Sequence, residues 1–260
     1  MNLSEELLEA FKGFSGAHGQ TDVSQERTAG KQKAKSFIVR NPLTLELIEG
    51  HISGKKGIGA IPINEENKCR FGALDIDEYP LDHNKLIDKL EELKVPCIVC
   101  RSKSGGAHIF FFFKEWMNAG DFRDKAAEIS SALGHGRCEI FPKQEQILVE
   151  RGDVGNFINL PYFDSEQTLR YAILKREGAY IEATLSEFIE EIQRVKTLPK
   201  DFLTLPIGGP VELLPNYIPC LRTKLAIGVF EGERNRTAFQ LGVFLQRLDP
   251  GNWKIKFEEH

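Results

Sequence analysis

The sequence predicts an α+β protein: a mixed or antiparallel sheet with flanking helices, followed by a small helical domain. Three observations predict it. Apolar patterns run in the order β-α-β-β-α-β from Phe71 onward, four consecutive phenylalanines sit inside one strand pattern, and a Pro/Gly-rich stretch separates that block from two short helical patterns. The expected organisation is a main domain over residues 1–196, a linker over 197–216 and a helical accessory domain over 217–260.

Residues 3 to 12 place Leu3, Leu7, Leu8 and Phe11 at helical spacing, and the polar, Gly-containing stretch 13–35 reads as a mobile loop. After Phe37 come FIV, a helix-like TLELIEGHI, and IGAIPI before the polar tip NEENK. Phe71–Asp77 reads as a strand, and Asp82–Lys94 as a helix with Leu86, Ile87, Leu90 and Leu93 on one stripe. Pro96–Arg101 is the next strand. Ser102–Gly106 has turn chemistry. The following AHIFFFF must be buried on both faces, because successive side chains alternate and Phe110 to Phe113 are all aromatic. Asn118 caps a helix to Leu133 whose Phe122, Ala126, Ile129 and Leu133 point inward, and Gly134 and Gly136 end it. RCEIF and NFINLPYF read as short strands. Thr184 and Glu187 form a capping box for a helix burying Leu185, Phe188, Ile189, Ile192 and Val195.

Pro199, Pro206, Pro210 and Pro215, with Gly208 and Gly209, give residues 197–216 an extended linker character. Beyond it, helical patterns cover Pro219–Ile227 and Arg234–Leu248, the second with Ala238, Leu241, Leu245 and Leu248 inward. Two such helices need a partner surface, and the abrupt ending KIKFEEH suggests a fragment of a longer polypeptide.

The 260 residues carry 34 basic and 38 acidic side chains, a net charge of -4, so contact with polyanions must come from local basic patches or bound cations. No stretch approaches the roughly 20 apolar residues of a membrane span, and MNLSEELLEAFKG lacks the pattern of an export signal. A soluble cytoplasmic protein is expected. Five cysteines, an odd number, read as free thiols. Cys97 and Cys100 lack a second ligand pair of matching spacing, since Cys69, Cys138 and Cys220 are scattered, so no zinc is expected.

Asp75 and Asp77, two apart at a strand end, project to one face, where like charges so close call for a cation of the oxygen-loving magnesium or manganese kind. Alone, such a pair more often marks a solvated strand end. One helix and one strand later, Ser104, Gly105 and Gly106 form a turn whose amides can face a phosphate, with Arg101 and Lys103 supplying positive charge and His108 on the first turn of the buried strand. Glu139 is a lone carboxylate on a short apolar strand. Lys143 and Gln144 follow the chain-bending Pro142, and Asn159 interrupts an apolar strand. Lys143 taken singly also fits a solvated side chain, and Asn159 one bonded to neighbouring backbone.

The succession ALDID, SKSGGAH, EIFPKQ and GNFINLPYF resembles the signature motifs of the archaeo-eukaryotic primase superfamily, in the form seen in phage, plasmid and conflict-system primase-polymerases. The likeness covers roughly residues 5 to 170, with the lead-in HISGKKGIGAIPI. It implies an RRM-like sheet as the catalytic core, paired with a smaller αβ unit. It also implies that Asp75, Asp77 and Glu139 hold two divalent cations, magnesium or manganese. Ser104, His108, Lys103 and Arg101 would hold the triphosphate, with Gly106, Lys143 and Asn159 lining the nucleotide site. The implied activity is nucleotidyl transfer that makes and extends primers. The implied partners are a single-stranded DNA template, a primer strand, ribo- or deoxyribonucleoside triphosphates and a helicase domain or protein, in a prokaryotic or phage-infected cytoplasm. The tail is similar to the helical domain that follows such cores, where Arg222, Lys224, Arg234 and Arg236 would touch nucleic acid. Two rival readings are a non-catalytic nucleic-acid-binding module and a two-metal nuclease or replication initiator.

Overall fold

A computed structural model of the protein describes residues 2–28, 31–164, 167–207, 234–248, 251 and 254. Before the first large strand come α1 (Leu3–Ala10), β1 (His18–Thr28), β2 (Lys31–Val39), α2 (Leu45–Ile52) and β3 (Gly57–Ala60). The central block is β4 (Lys68–Ile76), α3 (His83–Glu92), β5 (Ile98–Arg101), β6 (Ala107–Asn118), α4 (Ala119–Leu133) and β7 (Glu139–Phe141). There follow β8 (Ile158–Asn159), β9 (Ala172–Arg176), β10 (Ala179–Glu182), α5 (Leu185–Val195), α6 (Pro199–Leu203) and α7 (Arg234–Leu248).

Two sheets form, and every pairing of named strands is antiparallel. The larger has the order β10-β9-β5-β6-β4-β7 and the smaller β2-β1-β3-β8. Within the larger sheet, the β-α-β-β-α-β block from β4 to β7 supplies the four neighbours β5-β6-β4-β7, the expected RRM-like arrangement.

The aromatic strand β6 explains why this sheet is covered twice. Phe110 and Phe112 meet Phe11, which caps the C-terminus of α1, at ring distances of 5.2 and 5.4 Å, and Phe188 of α5 lies 6.4 Å from Phe112. On the other face, Phe111 and Phe113 pack on Phe122 of α4 and Phe202 of α6. The first face belongs to a continuous core that also takes in Ile48 of α2 and Ile58, Ala60 and Ile158 of the smaller sheet.

Four expectations change. Residues 18–28 and 31–35, expected inside a mobile loop, belong to the β1–β2 hairpin, whose second strand runs on to Val39. Its strands are too polar to show an apolar alternation, and β1 is held by pairing with β3 through Gly19–Gly59 and Gln20–Ile58. The hairpin β9–β10 was not foreseen, although YAILKREGAYIE is strand-like around a turn in which Glu177 and Gly178 have φ of 49° and 84°. The start of the expected linker is not extended. Pro199–Leu203 forms the short helix α6 with Pro199 at its first position, and Phe202 is fully buried. On α7 the inward stripe is Thr237, Leu241 and Leu245 rather than one beginning at Ala238, which is exposed. The expected helix Pro219–Ile227 lies outside the described residues, as does Cys220.

The chain divides into two compact units, one of residues 1–126 and 138–205 and one of 127–137 with the described residues from 206 onward. Everything below concerns the first. Cys69, Cys97 and Cys100 are free thiols. Among the described residues no helix is long and apolar enough to cross a membrane.

Candidate active site

The site is written into the strand register of the larger sheet. Asp75 on β4 lies opposite His108 on β6 and, on its other side, opposite Glu139 on β7; His108 lies opposite Cys100 on β5, and Cys100 opposite Ala172 on β9. One row therefore reads Ala172, Cys100, His108, Asp75, Glu139. Residues two apart share a face. The row thus continues the face that carries Ile98, Phe110, Ala73 and Phe141 in the core. His108 stands edge-on to Phe110, with ring centroids 5.8 Å apart. Its Nε2 lies 3.3 Å from Asp75 Oδ1, and both side chains are largely enclosed. That carboxylate oxygen is buried and makes no hydrogen bond.

Extending the same registers by two residues gives a second row of Arg170, Ser102, Gly106 and Asp77. The backbone bonds Ser102 N–H to Gly106 O (2.9 Å) and Arg101 N–H to Tyr171 O (2.9 Å) carry the pairing to it. Gly106 sits so close to β4 that a Cβ on it would lie 2.1 Å from Ile76 O, so the turn is pressed against the segment that carries Asp77. His83, at the start of α3, also faces Gly106 O, at 3.0 Å.

Tyr79 links the acids to the turn. Its hydroxyl donates to Asp77 Oδ1 at 2.8 Å and is bonded by the Ser104 side chain. Desolvation, with the carboxylates of Asp77 and Asp75, raises this phenol above its ordinary range, so it remains a donor. Lys103 lies beside Arg170, and desolvation first, then that neighbouring charge, lowers its ammonium. Arg170 stacks over Phe163 at 4.8 Å, and desolvation lowers it too.

Not every expected residue joins the rows in this way. Glu139 is placed by register beside Asp75, but its Oε1 bonds Lys143 Nζ at 2.7 Å, and Lys143 also lies 5.0 Å from the Phe141 ring. Among the described residues no three His, Cys, Asp or Glu side chains stand gathered as a ready-made metal cage. Arg101 alternates to the opposite face from His108 and engages Tyr171, whose hydroxyl bonds Glu182. Asn159 sits in the smaller sheet, where Ile158 takes the core side and the Asn159 side-chain oxygen accepts from Thr21 Oγ1 at 3.0 Å. Arg222 and Lys224 lie outside the described residues. Arg234 and Arg236 begin α7, and their side chains lie outside them too.

Three residues at the site were missed: Tyr79, Ser102 and Arg170. Tyr79 had a visible signal, being two residues past the acid pair. Arg170 had none, because its neighbours are 68 or so positions away and only the β5–β9 pairing brings them together.

No curated protein matches the chain. Residues 9–199 match the family described as the TOTE conflict system archaeo-eukaryotic primase domain. That span includes Asp75 of β4 and Asp77 just past it, the Ser102–Gly106 turn, Glu139 and Arg170. The chain belongs to that family, within the primase-polymerase and nucleotidyltransferase superfamily.

Proposed function

We propose that the domain is a DNA-directed nucleotidyltransferase that synthesises and extends primers on single-stranded DNA from nucleoside triphosphates, with two divalent cations, magnesium or manganese. The observation that carries this is the row that sets Asp75 between His108 and Glu139, with Asp75 Oδ1 buried and making no hydrogen bond. A buried carboxylate oxygen left unsatisfied is costly unless a cation completes it. The donors are carboxylate oxygens, which suit hard divalent ions. Asp75 and Asp77 would hold the ions, joined by Glu139 once its carboxylate leaves Lys143.

When bound, such ions supply charge neutralisation at the reacting phosphate and activate the attacking hydroxyl. The chain's own residues position the reactants. Lys103, Ser104 and the amides of the turn face the triphosphate, while His108 ties the phosphate side to Asp75. Tyr79 holds Asp77 and Ser104 in one frame, so the acid and the phosphate turn move together.

The test is extension of a primed single-stranded template with each ion and each nucleotide set. Asp75→Asn and Asp77→Asn should each lower incorporation by roughly a thousandfold or more without loss of fold. Extension retained by the doubly substituted Asp75→Ala, Asp77→Ala chain would overturn the assignment. Removing residues 217–260 should abolish primer synthesis and spare extension.

The Glu139–Lys143 ion pair favours a second reading, a non-catalytic nucleic-acid-binding domain in which lysine takes the place of a cation. Binding of single-stranded DNA that needs no divalent ion, with no incorporation under any condition, would select it.

A further inference from the structure

The Ser102–Gly106 turn closes on itself through two backbone bonds, Ser102 N–H to Gly106 O at 2.9 Å and Gly105 N–H to Ser102 O at 3.1 Å. Two glycines in five residues make such a turn costly to order, and Lys103 and Ser104 at its tip are exposed. Further support comes from one short segment, residues 77–83, which leaves β4 and enters α3. Tyr79 bonds Asp77 Oδ1 and the Ser104 side chain. Four residues later, His83 Nε2 lies 3.0 Å from Gly106 O, 23 positions along the chain. A carbonyl oxygen can only accept, so Nε2 carries the proton and donates. Residues 77–80 are exposed, whereas His83 is only 9% exposed. Its imidazole does not serve its own helix, because Asp82 caps α3 by accepting from Lys85 N–H at 3.1 Å. The bond to Gly106 therefore serves the turn.

We infer that His83 is a positioning residue which, with Tyr79, clamps the turn to the segment carrying Asp77, so that the spacing between acid and turn is set before any ligand arrives. For its effect on catalysis this rests on the proposed nucleotidyl transfer; the clamp itself does not. Tyr79 fixes the tip of the turn and His83 its far end. With one bond alone the turn could pivot about Ser104 or about Gly106. With both, Asp77 and the turn move as one body. A buried hydrogen bond of this kind changes local opening by a factor of about three to ten. The rate is more sensitive than the fold, since a misplacement of about 1 Å between reacting groups costs about a hundredfold.

The test uses the full chain and three substitutions that separate the bond from the packing. His83→Phe keeps a ring and has no donor. His83→Gln loses the ring but keeps an N–H at the reach of Nε2, and His83→Asn carries one that falls short of it. Amide hydrogen exchange read by mass spectrometry, without ligand, should be faster over residues 102–106 by about threefold to tenfold in His83→Phe and His83→Asn, and close to wild type in His83→Gln. Thermal melts establish that each variant is folded, and the Asn and Gln pair decides the matter if the Phe variant is not. In primer extension, His83→Phe and His83→Asn should lower kcat by more than they raise the nucleotide KM, with His83→Gln recovering most of the loss. Protection kept by Phe and lost by Gln would assign the ring to packing and overturn the clamp, as would exchange unchanged in all three. A loosened turn with wild-type extension would overturn the positioning role. The expected exchange pattern in a chain that incorporates no nucleotide under any condition would support the clamp and remove the transferase reading.

Discussion

Replacing Gly106 with alanine asks whether the turn and β4 are as tightly apposed as described. The backbone at Gly106 is outside the left-handed region, so alanine is conformationally acceptable there. On chain entropy alone the change would stabilise the fold by about 0.4–1 kcal/mol. The new Cβ, however, would lie 2.1 Å from Ile76 O, where ordinary contact begins at 3.4 Å. The obstacle is backbone and cannot swing aside, so the turn must retreat by about 1 Å, and overpacking of this kind costs about 1–3 kcal/mol. The sign of the stability change thus decides between the two effects, and we expect a net loss. Denaturant unfolding of Gly106→Ala measures it, with Gly105→Ala as the comparison. Gly105 is strained by its φ of 95° but meets nothing. Because the retreat separates Ser104 from Asp77, nucleotide incorporation should also fall by roughly a hundredfold in Gly106→Ala. Gly105→Ala, which moves no neighbour, should lose much less. A Gly106→Ala protein as stable as wild type would refute the apposition; one that is destabilised yet fully active would refute the role of the turn.

Other expectations follow from the fold. His51 is fully buried, with Nε2 donating to Pro161 O at 2.8 Å and Nδ1 accepting from Ile58 N–H at 2.9 Å, and burial lowers its pKa to about 4. The unfolded chain takes up that proton near pH 6.5 and the folded chain only near 4. Stability present above pH 6.5 should therefore be lost as the pH falls toward 4, by roughly 3 kcal/mol. Unfolding free energies at pH 7.5 and 4.5 test this, and His51→Gln should flatten the difference. Phe202→Ala removes a buried ring that stacks with Phe122 at 5.8 Å and meets Phe113 at 5.1 Å, and should cost about 3–5 kcal/mol. A chain ending at Lys196 should be destabilised similarly, and one as stable as the longer chain would place α6 outside the core.

Much of this molecule is legible in the residue order. The alternation of AHIFFFF demands a strand covered twice, and the structure covers it with Phe11 and Phe188 on one side and Phe122 and Phe202 on the other. Thr184 with Glu187 announces α5 because capping is local chemistry, decided within four residues. Asp75 with Asp77, the Ser-Gly-Gly turn and His108 are legible only in succession: each alone also fits an ordinary strand end, turn or core histidine, and their order along the chain is what narrows the use.

What only the tertiary structure decided is which distant strands stand side by side. Asp75 meets His108 and Glu139 through hydrogen-bonded register, and a shift of one residue would turn each to the other face. Arg170 reaches Ser102 only because β9 pairs with β5, a strand missed in the sequence. Arg101 and Lys103, alike as basic residues beside a turn, part company because Arg101 is the last residue of β5 while Lys103 lies in the turn beyond it, one engaging Tyr171 and the other lying beside Arg170. Glu139 turns to Lys143 because a lysine two residues past its short strand is within reach. Residue chemistry names the groups a site can use. Pairing between segments far apart in the chain, whose energy no local pattern records, settles which of them meet.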